Sequence, residues 1–161
     1  MTEQNAPIPR SPGQAQVMSV QKVANRIVNT LLRTPGISGA IGKRLVIINV
    51  TGRKTGRRYS VPVAYTRHEG SLLVGTQFAW ARNMRTGEPV EVIMLGRRRQ
   101  ASVQVISDED GVVAAYDVLC RDNHQFARFN NIQLDSDGAP VQGDLHSAWT
   151  NGARAYRLSL N

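Results

Sequence analysis

Apolar residues recur at Val20, Val23, Ala24, Ile27, Val28, Leu31 and Leu32, three or four positions apart, and this spacing predicts one amphipathic helix over 17–33. Thr34-Pro35-Gly36 ends it, since proline cannot continue the ladder and glycine leaves it readily. Residues 1–16 show no period, are rich in Pro, Gln and Ser, and read as a flexible tail ahead of a single domain over 17–161. Beyond residue 44 the pattern shortens to strand-like runs: Leu45–Val50, Tyr59–Thr66 and Leu72–Thr76 form a meander. Gln77–Gly87 reads as a short helical or irregular crossing. Residues 89–96 and 98–106 form a hairpin through Gly96-Arg97. Ser107 to Asp110 then carries a helix start signal, with Asp110 at the box position of a cap on Ser107. That helix is expected to run to about Leu119, the stretch 121–149 to be loop-rich, and Ala153–Leu160 to close as a strand. Six short strands joined by turns of a few residues must pair antiparallel, because a parallel crossover needs a dozen residues or more. The expected class is therefore α+β, a small β-barrel with an N-terminal helix.

Charge changes this picture more than composition does. Twenty Lys plus Arg against twelve Asp plus Glu give +8 in 161 residues, which favours an anionic partner: nucleic acid, an acidic membrane surface, or a phosphorylated or polycarboxylate small molecule. Lys22, Arg26 and Arg33 lie on the polar side of the 17–33 helix, a pattern compatible either with peripheral contact to an acidic bilayer or with packing on the domain's own sheet. One cysteine, Cys120, allows no internal disulfide and no thiolate cluster, and the start of the chain has no secretory pattern, so a cytoplasmic setting is expected. His68, His124 and His146 are far apart and unaccompanied by HExxH or CxxC. Serine-elbow, Walker and GxGxxG signatures are missing too. Redox chemistry stays open, because a bound cofactor can supply it while the protein binds and orients.

Two stretches carry candidate chemistry. Thr51-Gly52-Arg53-Lys54-Thr55-Gly56-Arg57-Arg58 lies between two strands and offers cations, hydroxyls and backbone N–H groups at two glycines, a donor set suited to phosphate or carboxylate. The alternative is a solvated hairpin loop. Trp80-Ala81-Arg82-Asn83-Met84-Arg85 places an aromatic ring, two arginines and an amide together, enough to hold a flat ring and its phosphate, although Trp80 would serve equally as core. Arg97-Arg98-Arg99 reads as a charged hairpin tip. Few aromatics, and none inside the basic runs, argue against nucleic acid, whose bases stack on exposed rings.

These motifs, in this order, with Val61-Pro62-Val63 and the strand ending LLVGT, resemble the deazaflavin-dependent nitroreductase family of actinobacterial split β-barrel proteins. The resemblance covers roughly residues 45–106. It implies coenzyme F420 as cofactor, FMN being the alternative on the same fold, and hydride transfer from reduced F420 to a nitroaromatic, quinone or other conjugated electrophile. By position it implies that Arg53, Lys54, Thr55, Arg57 and Arg58 hold the phosphate and acidic oligoglutamate tail. Ser60 and Pro62 then belong to the cofactor-side wall, and Gly75, Thr76, Gln77, Phe78 and Ala79 border the ring and phosphate. The Trp-x-x-Asn pattern falls on Trp80 and Asn83. Many relatives carry a cation in a longer loop before the tryptophan, and its absence here implies phosphate contact through Arg82 or Arg85. Tyr116 is the candidate proton donor, Tyr65 a further hydroxyl, and Phe126 and Phe129 candidate pocket walls. A monomer or a homodimer fits equally.

Overall fold

A computed structural model describes residues 44–161; the tail and the helix expected over 17–33 lie outside the described residues. Seven strands form one antiparallel sheet: β1 (Leu45–Thr51), β2 (Arg58–Ala64), β3 (Thr66–His68), β4 (Ser71–Thr76), β5 (Pro89–Met94), β6 (Arg97–Ile106) and β7 (Arg154–Leu160), in the order β2-β1-β5-β6-β7-β4-β3. The two edge strands, β2 and β3, are consecutive in the chain with only Tyr65 between them. Ala64 and Thr66 are therefore at most ~7 Å apart, two Cα–Cα steps, and the sheet has to curl until its edges meet. Residues of alternating strand positions then fill the inside. Val46, Ile48, Val61, Val63, Leu72, Val74, Val92, Ala101, Val103, Tyr156 and Leu158 form one buried cluster drawn from six of the strands.

The closure is partial. β3 has three residues and pairs only with Ser71, Leu72 and Leu73, so Val74, Gly75 and Thr76 of β4 have no strand neighbour on that side. Between them and β2 the wall is split, in agreement with the expected split β-barrel. The sequence pattern joined β2 and β3 into one strand over 59–66; the break falls at Tyr65, whose N–H still donates to the Arg44 carbonyl at 3.0 Å, one step beyond the Leu45–Ala64 pair, before Thr66 passes to Leu73 of β4.

Among the described residues three α-helices sit outside the barrel: α1 (Glu109–Asp122), α2 (His124–Phe129) and α3 (Gln142–Thr150). They cover the outer faces of β4 and β7, where Leu73 and Ala155 join Val112, Tyr116, Leu119, Phe126 and Leu145 in a second buried cluster. The cap of α1 is Asp108, whose carboxylate accepts from the Gly111 N–H at 2.9 Å, rather than the expected Ser107. Gly111 explains the register, because a Cβ there would lie 2.6 Å from Ile106 Cγ2 and 2.9 Å from Asp108 Oδ1. Loss of that cap in Asp108→Ala is expected to cost about 1 kcal/mol, read as a lower urea midpoint with unchanged slope. The stretch 121–149 is not simply loop. Asn123 accepts from the N–H groups of Gln125 and Phe126 and starts α2 at once after α1, and α3 lies beyond a turn closed by Asp135. The turn-rich sequence between them hid both helices. Among the described residues no helix is long and apolar enough to cross a membrane.

Candidate active site

The basic turn lies beside the crossing segment that follows β4, where Arg53 meets Asn83. β1 and β5 run antiparallel with Asn49 opposite Glu91, so the turn after β1 sits beside the entry to β5. Inside the turn, the Gly52 N–H donates to the Arg57 carbonyl at 2.7 Å and the Gly56 N–H to the Gly52 carbonyl at 2.8 Å. Both glycine donors expected to await an anion are thus consumed in closing the loop, which corrects that part of the sequence reading. The glycines serve geometry instead: Gly56 has φ +66°, and a Cβ on Gly52 would meet the Tyr59 ring at 2.9 Å and Thr55 Oγ1 at 3.0 Å. The turn still offers an anion its side-chain charge.

A cleft of about 330 Å³ opens beside it, lined by Arg53, Arg58, Asn83, Arg85, Glu88 and Glu91 among others. Asn83 fixes one wall. Its side-chain N–H donates to the Trp80 carbonyl at 2.9 Å, closing the 3₁₀ helix Ala79–Asn83, while its carbonyl oxygen accepts from the Arg53 N–H at 3.4 Å. Glu91 is already engaged: Ser60 donates to Asn49 at 2.6 Å and Asn49 to Glu91 at 2.7 Å, a row across β2, β1 and β5. Ser60 therefore supports the strand ladder. Lys54 is exposed on the turn outside the cleft lining, as is Thr55, whose hydroxyl lies 3.4 Å from the Arg57 N–H. Arg57 and Arg82 are also exposed.

A second, apolar opening of about 60 Å³ lies at the split itself, between Val63 and Ala64 of β2 and Gly75, Thr76, Gln77 and Phe78. Phe126 and Phe129 of α2 close its outer side. Phe129 is 40% exposed and meets Phe78 at a centroid distance of 6.2 Å. Thr76 turns the chain out of the strand by accepting from the Phe78 N–H at 3.1 Å. Pro62 faces outward on β2 opposite Ile47, while Val61 and Val63 point into the barrel. Sequence reading missed Asn123, Gln125 and Asn130 at this opening, because they lie in the stretch taken as loop; the Asp-Asn pair ahead of Phe126 and Ala127 is the cap signal that could have found α2.

Trp80 is 5% exposed and packs inside the barrel, with its indole N–H unpaired among the described residues. Ala79, beside it, is exposed. Tyr116 lies between α1 and the sheet with no exposed surface, edge-on to Phe126 at 5.1 Å, its hydroxyl 3.5 Å from the Arg154 carbonyl. Burial pushes its pKa far above the ordinary phenol value. Tyr65 is buried in the barrel cluster. Burial, helped by Asp117, likewise pushes the Cys120 thiol up to about 12, so it is protonated and unreactive at neutral pH. Among the described residues no group of three His, Cys, Asp or Glu side chains could hold a metal.

No family model and no curated protein matches the chain. Among solved structures, it is similar to a candidate 5-nitroimidazole antibiotic resistance protein from Bacteroides thetaiotaomicron, with 9% identity, 76% of this chain and 75% of that one covered, and a TM-score of 0.41. It is similar to a protein of unknown function from Agrobacterium tumefaciens at 14% identity, 81% and 58% coverage and a TM-score of 0.48. A conserved hypothetical protein from Mycobacterium tuberculosis matches at 12% identity, 99% and 86% coverage and a TM-score of 0.47. All three scores lie below 0.5, so what those proteins do is not transferred to this chain.

Proposed function

We propose that this chain is an oxidoreductase that holds coenzyme F420 and transfers a hydride from its reduced form to a nitroaromatic, quinone or other conjugated electrophile. One observation carries the reading: the segment 75–85 starts at the apolar split, where Gly75, Thr76, Gln77 and Phe78 line the opening, and ends at the basic cleft, where Asn83 and Arg85 join Arg53 and Arg58. A flat ring joined to an anionic tail needs such a pair of cavities on one short connection. The donor set fits. Arg53, Arg58 and Arg85 can grip phosphate or carboxylate oxygens in two-point fashion, and Lys54 and Arg57 at the rim suit an extended polyanion. FMN would use the same arginines but brings no extended polyanion to reach Lys54 and Arg57.

When bound, the reduced deazaflavin supplies the hydride; the chain's residues bind, orient and exclude water. Phe78 and Phe129, both partly exposed at the opening, are placed to cover a bound ring and keep water from it. Tyr116 is outside the lining of the opening and braces Phe126 edge-on at 5.1 Å. The test is turnover: reduced F420 with a soluble quinone or nitroaromatic, followed by the return of the oxidised cofactor's absorbance. Acceleration over the protein-free rate is expected. No acceleration with any acceptor, from protein that binds F420, would reduce the chain to a cofactor carrier.

A further inference from the structure

The β5–β6 hairpin closes through two residues, Leu95 and Gly96, with Met94 paired to Arg97. Both central residues have positive φ, +50° and +75°, as tight hairpin turns require, and the first of these positions favours Asn, Asp or Gly. A leucine there is strained, because its bulk disfavours the left-handed region. It is also 68% exposed, more than any other large hydrophobic among the described residues. The β3–β4 turn has the same backbone signs at Glu69 and Gly70, but there a polar side chain pairs with Arg157 at 2.9 Å. Strain and exposure together, at a position where a polar residue would remove both, point to use of the apolar side chain.

Three cations surround the tip. Arg97, Arg98 and Arg99 are all exposed; Arg98 stands 3.8 Å from Glu91, while the side chains of Arg97 and Arg99 have no ion pair or hydrogen bond among the described residues. The tip lies at the opposite end of the barrel from the basic turn, since Ile47 pairs with Ile93 and Asn49 with Glu91. Arg98 reaches back to Glu91 in the lining of the cleft at Arg53, whereas Leu95, Arg97 and Arg99 are outside that lining.

We propose that this tip docks on bilayers containing anionic phospholipid, with Leu95 entering the headgroup boundary and Arg97 and Arg99 meeting lipid phosphates. An apolar residue at the apex with cations set just behind it matches the order of acyl chain and headgroup met from the interior of a bilayer outward. Nucleic acid is disfavoured, because no aromatic ring stands at the tip for a base to stack on.

The test is co-sedimentation of the full chain with vesicles of phosphatidylglycerol and phosphatidylcholine in equal amounts, against phosphatidylcholine alone, with a single-stranded oligonucleotide in a parallel titration. The intact protein is expected to pellet with the anionic vesicles at low salt only. Leu95→Asn should reduce partitioning about tenfold, the loss of one buried leucine's transfer free energy, and its thermal midpoint should hold or rise because asparagine accepts the turn. Arg97→Gln with Arg99→Gln should also reduce partitioning, with the fold intact. Equal partitioning of these variants and the parent, no preference for anionic vesicles, or tight oligonucleotide binding without vesicle binding would each overturn the proposal.

Discussion

Tyr116→Ala is expected to destabilise the protein by about 3–5 kcal/mol, the range for removing a large buried aromatic. The ring has no exposed surface and sits among Leu119, Phe126 and the β4 backbone at Gly75, so the helices and sheet packed around it cannot collapse into the void cheaply. Against a typical domain stability of ~5–15 kcal/mol this leaves little reserve, and urea unfolding should show the midpoint shifted far down. Tyr116→Phe separates structure from chemistry. The hydroxyl's one partner among the described residues is a carbonyl at 3.5 Å, a long contact, so its loss should cost under ~1 kcal/mol and leave turnover unchanged. A proton donor would instead lose about 10²–10⁴-fold in rate.

Gly75→Val is the second large effect. A Cβ at Gly75 would lie 2.8 Å from Phe126 Cζ, 2.9 Å from Leu119 Cδ1 and 2.9 Å from Tyr116 Cε2. These are packed side chains, and Cγ atoms beyond the Cβ would drive them apart. Overpacking of this kind costs about 1–3 kcal/mol, only partly offset by the ~1 kcal/mol or less that a strand gains on losing glycine's freedom. Because Phe126 also walls the split, the same substitution should weaken F420 binding while Gly143→Val, where an added Cβ meets open space, should leave that binding unchanged. Equal stability of Gly75→Val and the parent would mean that α1 and α2 are not seated on β4 as described.

Most of the barrel was legible because its strands announce themselves by alternation: Val46, Ile48 and Val50 inward, Asn49 outward. What was hidden depended on partners remote in sequence. Nothing near Tyr65 marks the bend that divides β2 from β3, since the bend arises from closing the sheet. Asp108 displaced Ser107 as cap because Gly111 alone tolerates contact with Ile106 and the Asp108 carboxylate. At the site, the cations of the basic turn and Asn83 were readable and the structure brings Arg53, Arg58 and Asn83 to one cleft. The fate of the Gly52 and Gly56 N–H groups was not, as their acceptors are set by how the loop folds on itself.

The most direct measurement is a fluorescence titration of the full chain with oxidised F420, with FMN in parallel, repeated on the Arg53→Ala/Lys54→Ala variant. Micromolar or tighter binding of F420 over FMN is predicted. The double substitution should weaken it by about tenfold or more, given ~1 kcal/mol for each exposed charge-assisted contact. Preference for FMN, binding of neither, or F420 binding indifferent to the loss of Arg53 and Lys54 would contradict the account.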